Sequence, residues 1–308
     1  MRRNTLLAAA AMVLLGTAFG ACSEKDDPES LTIDMTAINP ATDGITHHMG
    51  DAVWREAGAI RLLGASPFVF SVSDSGKVRF SPGNLQYNPS NGRWQFASRQ
   101  FLTAETDPDA EPGLTDLFGW GTSGWESGAA ATMPTDIDEA DSHYWVGSDV
   151  GGGLYADWAE ADWAVHNPIA NGGNRAHLWR VLRASEWQYL FGTSPQRRNK
   201  WGLATIDGTY PGVVVLPDNW TLPGGLGFTP GADGWNTNEY NAVQWFDMEQ
   251  AGAVFLPASG YRDGERIVCV GLTGNYWTSD AVDSCCARDL FFRSLMLDAR
   301  DLDARHYG

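Results

Sequence analysis

The feature that most constrains this chain is the brevity of its apolar runs. From Pro67 onward they are a few residues long and are mostly closed by Gly, Pro, Asn or Asp, as in Gly212-Val213-Val214-Val215-Leu216-Pro217 and Ala253-Val254-Phe255-Leu256-Pro257. Runs of that length suit buried strands and are too short for the helices of a bundle. With 35 Gly and 14 Trp among 308 residues, the pattern predicts an α+β fold with short strands, few helices and long Gly/Trp-rich loops. Phe68-Val69-Phe70-Ser71-Val72 and Lys77-Val78-Arg79-Phe80 read as strands joined by Asp74-Ser75-Gly76, a hairpin signal. Trp94-Gln95-Phe96 reads as a further strand, residues 103–160 as ordered loops held by buried tryptophans, and Ser185 to Phe191 as a helix capped by Ser185. Tyr276-Trp277, Leu290-Phe291-Phe292 and Leu295 to Leu297 read as closing strands.

Charge removes one class of function. The formal net charge is −17, from 38 acidic and 21 basic residues, and the only lysines are Lys25, Lys77 and Lys200. Nucleic-acid binding depends on neutralising phosphates with Lys and Arg, so a nucleic-acid partner is not expected. Cys22, Cys269, Cys285 and Cys286 are too few for a disulfide framework. Any bridge joins Cys269 to one of the adjacent pair or links that pair to itself, and Cys269, between Val268 and Val270, reads as a small core residue.

The first residues place the chain outside the cytoplasm. Met1-Arg2-Arg3-Asn4 is a positive start, and Thr5 to Gly20 is an apolar stretch of signal-peptide length ending in small residues, too short to span a bilayer comfortably. Phe19-Gly20-Ala21-Cys22 resembles the lipobox of bacterial lipoproteins, which implies removal of residues 1–21 and acylation of Cys22. The following Ser23-Glu24-Lys25-Asp26-Asp27 is similar to the acidic surface-export tag of Bacteroidetes lipoproteins. Several acyl chains on one cysteine anchor a protein stably where a single chain binds only marginally. Residues 22–58, polar and weakly patterned, read as the acylated N-terminus and a tether, with His47 and His48 as a solvated pair. The expected membrane contact is through the lipid anchor alone, at the outer membrane and exposed on the cell surface.

Residues 59–308 carry a second resemblance. Val78-Arg79-Phe80-Ser81-Pro82-Gly83-Asn84-Leu85-Gln86-Tyr87, Asn171-Gly172-Gly173-Asn174, Trp179-Arg180-Val181-Leu182 with Ser185-Glu186-Trp187, Phe255 to Gly264, and Gly274-Asn275-Tyr276-Trp277-Thr278-Ser279 occur in this order in a family of Bacteroidetes surface lipoproteins. That family resembles the C-type-lectin fold, in the branch related to formylglycine-generating enzymes and to the variable proteins of diversity-generating retroelements. The resemblance implies a C-type-lectin-like ligand-binding domain with a variable segment over about 280–307, and a further Ser-Val-Arg strand beyond Gly308.

In such systems adenines of a template are replaced at random, and an Asn codon altered at its two adenines cannot encode Lys, Glu, Gln or Trp. Those four residue types make up 36 of the first 279 positions, so three or four would be expected among the 28 from Asp280 to Tyr307, and none occurs. Met296 is the one residue there that an Asn codon would not give. The resemblance implies that Ala287, Leu290, Phe292, Ser294, Arg305 and Gly308 form a scaffold. The displayed, ligand-binding set is then Asp280, Val282, Asp283, Ser284, Cys285, Cys286, Arg288, Asp289, Phe291, Arg293, Leu295, Asp298, Asp301, Asp303, His306 and Tyr307. Loops on a fixed scaffold are where recognition concentrates, and Phe, Tyr and Arg are frequent interface anchors. The expected partner is an external protein or glycan.

Two other functions fit less well. A fimbrial or surface-layer subunit of fixed sequence would assemble by strand donation. An oxidase of the formylglycine-generating type needs a reactive cysteine pair whose spacing Cys285-Cys286 does not match, and a glycan hydrolase needs two carboxylates at a set separation. Glu186, a candidate for the latter, reads better as a structural hydrogen-bond partner. No His-Glu-x-x-His, Gly-x-Ser-x-Gly or phosphate loop occurs, so catalytic residues and cofactors are not expected. Asp233, Asn236, Asn238 and Glu239 form an oxygen-rich cluster, but such clusters are most often turns, and no metal is expected.

Overall fold

A computed structural model describes residues 67–125, 153–264, 266–283 and 285–308. The leader, Cys22, the tether and Ser284 lie outside the described residues. The first hairpin forms as its turn chemistry predicts. Strands β1 (Phe70–Ser71) and β2 (Lys77–Val78) pair antiparallel, closed by Val72 N–H donating to the Gly76 carbonyl at 2.9 Å. A second hairpin follows, β3 (Leu85–Asn88) with β4 (Arg93–Phe96). The main sheet has the order β7-β5-β6-β8, from β5 (Trp201–Ile206), β6 (Tyr210–Val215), β7 (Glu239–Tyr240) and β8 (Val254–Pro257). Small β9 (Tyr261–Asp263) pairs with β10 (Arg266–Val268), and the last sheet is β11 (Thr273–Ala281), β12 (Cys286–Arg293) and β13 (Met296–Ala304), with β12 central. Helices are short: α1 (Trp163–His166), α2 (Ala184–Leu190) and α3 (Ala242–Gln250). The protein is therefore a mixed α+β structure with few helices.

The unbroken apolar runs are explained by burial on both faces of the main sheet. Leu203, Val213 and Val215 point into one core with Val254, Leu256, Phe70, Trp187 and Leu190 of α2, and Leu290 and Phe292 of β12. Their neighbours Ala204, Ile206, Val214 and Leu216 point the other way, onto Phe255 and onto Trp245 and Met248 of α3. One shared core thus joins the main sheet, α2 and the C-terminal sheet. Buried apolar area contributes about 25 cal/mol per Å², so this junction stabilises the contact of the three elements.

Helix α3 was not anticipated by the apolar pattern. Its start carries a reciprocal cap, in which Asn241 Oδ1 accepts from Gln244 N–H at 2.9 Å and Gln244 Oε1 accepts from Asn241 N–H at 2.9 Å. Helix α2 begins one residue earlier than expected, and Ser185 is inside it rather than its cap. The cap carboxylates are Glu186, which accepts from Arg183 N–H at 2.8 Å, and Asp280 of β11, which accepts from Ala184 N–H at 2.7 Å.

Several loops are held by indole N–H groups. Trp120 donates to the Thr278 carbonyl at 2.8 Å, Trp277 to Phe118 at 2.8 Å and Trp179 to Gly172 at 2.8 Å. Arg197, fully buried, donates to the carbonyls of Leu190 and Leu216 and to Asp218 Oδ1, whose carboxylate also accepts from Ser71 N–H and Oγ–H. The Asp218 carboxylate thus ties β1 to the segment that follows β6. Burial lowers the Arg197 guanidinium below its ordinary value, and Asp218 opposes the shift.

Candidate functional site

The residues expected to be displayed fall on a sheet built by backbone pairing. In β11 against β12, Asn275 faces Phe291, Tyr276 faces Leu290 and Trp277 faces Asp289. In β12 against β13, Phe292 faces Leu297, Asp289 faces Asp301 and Ala287 faces Asp303. The pairing shifts register between Trp277 and Ala281 of β11 and between Asp289 and Phe291 of β12, and Ala287, Asp289, Leu290 and Phe292 of β12 are all buried. The closing strands expected at Leu290–Phe292 and near Leu297 are thus present as β12 and β13.

Ala287, Leu290 and Phe292 are 0% exposed and Arg305 is 1% exposed. Phe292 stacks on Tyr276 and lies so close over Gly274 that a Cβ there would come within 2.0 Å of the ring. Glycine is needed for this approach, and that gives the Gly274-Asn275-Tyr276-Trp277 stretch a packing reason. Arg305 sits 4.4 Å above the Trp120 ring and donates from Nε to the Cys286 carbonyl at 3.2 Å. Of the six expected scaffold residues, Ser294 is exposed in the β12–β13 turn and Gly308 is half-buried.

Among the expected display residues, Asp283, Cys285, Arg293, Leu295 and Asp298 are exposed, and Val282, Cys286, Arg288, Phe291, Asp301, Asp303, His306 and Tyr307 are half-buried. Leu295, at the turn with φ 68, is 75% exposed. Two residues depart from the expectation. Asp280 is directed inward as the cap of α2. Asp289 is 2% exposed because Tyr261, Trp277 and Tyr307 close over it. Burial, with Asp301 and Asp303 adding repulsion, pushes its carboxyl up to about 7. Its Oδ1 and the Oδ1 of Asn275 have no hydrogen-bond partner, and both residues line a cavity of about 10 Å³, room for a single water-sized occupant.

One carboxylate draws in the backbone at Cys285 and Cys286. Asp283 Oδ1 accepts from Cys285 N–H at 3.0 Å and Cys286 N–H at 2.8 Å. Hydrogen bonding, from the Cys285 side chain above all, holds that exposed carboxyl below its usual range. Burial, followed by the Cys285 neighbour, pushes the Cys286 thiol up to about 12. Cys269 is exposed at φ 58 in the turn between β10 and β11, not in the core, because the chain must reverse there and its carbonyl receives the N–H groups of Leu272 and Thr273. Cys269, Cys285 and Cys286 are all free thiols.

A second recess, of about 230 Å³, shares Asn275 and Trp277 of β11 with the small cavity. The stretches from Val78 to Leu85, Trp179 to Leu182 and Asn275 to Trp277 all contribute to its wall, with Trp187 and the side chains of Phe96, Phe118 and Trp163. Sequence reasoning placed these residues in separate motifs and missed that they share a cavity; their order along the chain carries no signal of it. Asp116 on its wall is pushed up to about 6 by burial, which the Ala104 N–H partly offsets.

No protein-family model, curated protein or solved structure matches this chain. The remaining chemistry must be read from the residues. Glu186, the candidate hydrolytic acid, is held by Arg180 through bonds of 2.6 and 2.7 Å. Burial raises its carboxyl, and the bidentate guanidinium more than reverses this, leaving it below its ordinary value. Such a group is neither a proton donor at neutral pH nor free to move. Asn238 is buried and bridges Thr229 and Leu203, while Asp233, Asn236 and Glu239 are exposed around it. The oxygen-rich stretch is thus a turn clamped by its asparagine.

Proposed function

We propose that the protein is a lipid-anchored, cell-surface binding protein whose C-terminal sheet presents a diversified face to an external protein or glycan. The domain is a C-type-lectin-like scaffold in this reading, and Cys22 carries the acyl chains that tether it to the outer membrane. One observation carries the proposal. Within a stretch free of Lys, Glu, Gln and Trp, the residues expected as scaffold at Ala287, Leu290, Phe292 and Arg305 are buried, while Asp283, Cys285, Arg293, Leu295 and Asp298 between and around them are exposed. The pairing of β12 on both sides is made by backbone N–H and carbonyl groups, which every residue but Pro supplies whatever its side chain.

The test is to sequence the 3′ end of the gene in many cells of one strain and to search the genome for a near-copy. Substitutions confined to codons from Asp280 onward, at positions where the copy has adenine, are the expected result. A uniform 3′ end without such a copy would overturn diversification and leave a fixed adhesin or a fimbrial subunit.

A further inference from the structure

Consecutive side chains of an extended strand diverge to opposite faces, yet the thiols of Cys285 and Cys286 converge. Cys285 precedes β12, and the two backbone N–H groups both turn toward Asp283 Oδ1. The result is a triangle of soft and hard donors. Cys285 Sγ is 3.1 Å from Asp283 Oδ1 and 3.0 Å from Cys286 Sγ, and the three ligand atoms lie within 4.8 Å of one another. No other group of three His, Cys, Asp or Glu side chains among the described residues meets that spacing.

We propose that Asp283, Cys285 and Cys286 form a binding site for a thiophilic divalent cation of the zinc type. Zinc takes Cys sulfur at about 2.3 Å and carboxylate oxygen at about 2.0–2.2 Å in a tetrahedron, which sets two sulfurs roughly 3.8 Å apart and a sulfur and an oxygen roughly 3.6 Å apart. The two thiols therefore need to separate by about 0.8 Å and the Cys285–Asp283 side by about 0.5 Å, a movement of exposed side chains. Loading is a ligand exchange with no oxidant: the two thiols release their protons to water, two Zn–S bonds and one Zn–O bond form, and about five of the six waters of the hydrated ion leave, one staying in the fourth position. Two thiolates and one carboxylate around a dication leave one net negative charge. Cys285 and Asp283 are exposed, so the fourth position of the tetrahedron faces solvent, the arrangement of an open rather than a closed zinc site. A histidine or carboxylate of a bound partner can enter there. The metal site stands whether or not the surrounding face is diversified.

The test uses the full chain carrying Cys22→Ala, reduced and kept free of oxygen. Zinc is titrated against a chromophoric chelator, and cobalt(II) is then bound in its place. One equivalent of metal per chain and a near-ultraviolet sulfur-to-cobalt charge-transfer band are expected. Cys285→Ser and Cys286→Ser should each weaken zinc by more than about 100-fold, beyond the loss typical of outer-shell partners; Asp283→Asn should weaken it less, and Cys269→Ser should leave it unchanged. Far-ultraviolet dichroism of each variant separates loss of the ligand from loss of the fold, since neither thiol is in the core. Absence of the charge-transfer band, loss that follows Cys269, or protein recovered from cells two hydrogens lighter with the two sulfurs joined would each overturn the proposal.

Discussion

Replacing Asp289 by Asn gives a quantitative test of the packing over the C-terminal sheet. The carboxyl is pushed from an ordinary 3.8 to about 7 by burial and by Asp301 and Asp303. The folded state therefore keeps its proton through a range where the unfolded chain has lost it. Stability is then highest below pH 4 as far as this group is concerned, and falls as pH rises toward 7, because the folded state binds more protons than the unfolded one. A difference of about three pKa units at 1.36 kcal/mol each sets an upper limit of about 4 kcal/mol. Asn has the same shape, carries no charge, and keeps an oxygen to accept from Asn275 Nδ2. Urea unfolding of both proteins should give similar stabilities near pH 4 and a gap widening to about 2–4 kcal/mol in favour of Asp289→Asn by pH 8. Asp116 and Asp162, both pushed up to about 6, contribute the same slope to each protein and cancel in the difference. A gap that stays constant with pH, or that grows in favour of the native residue, would refute the argument.

Three further outcomes follow from the geometry. Asp218→Ala leaves Arg197 buried without its carboxylate and detaches Ser71, so denaturation should show a loss of about 3–5 kcal/mol. Leu290→Ala should cost about 2–5 kcal/mol in the same measurement, whereas Leu295→Ala, at the exposed turn, should fall within about 0.5 kcal/mol of the native protein; equal costs would argue against the division into buried scaffold and outward positions. Trp120→Phe removes the indole N–H from the Thr278 carbonyl and should cost about 1–3 kcal/mol, with faster amide exchange at the ends of β11 and β13.

What could be read from the sequence was whatever is governed by local chemistry. Asp74-Ser75-Gly76 announces its turn, and Val213 to Leu216 and Val254 to Leu256 announce strands covered on both faces. Helix α3 had a legible start in Asn241 and Gln244, three apart, but Val243 and Phe246 lie on its exposed side and blur the apolar stripe that would have marked it. Cys269 was misplaced for a similar reason: flanking valines suggest a core, while the turn geometry that exposes it depends on how β10 meets β11. The burial of Asp289 was invisible because its cover comes from Tyr261, Trp277 and Tyr307, which are distant along the chain. The cavity beside β11 is a product of tertiary assembly in the same sense, with walls drawn from motifs that are separated by up to two hundred residues.

The outward-facing hairpin also sets how much sequence change the molecule can absorb. Nine described residues between Asp283 and Leu302 are exposed, and a substitution at such a position shifts stability by about 0.5 kcal/mol in either direction. If the shifts are independent, nine simultaneous changes combine as a random walk to about 1.5 kcal/mol. A domain of ordinary stability has about 5–15 kcal/mol to lose. Nearly every combination at these positions is thus expected to remain folded, so selection on this surface can act on what it touches and not on whether the chain survives.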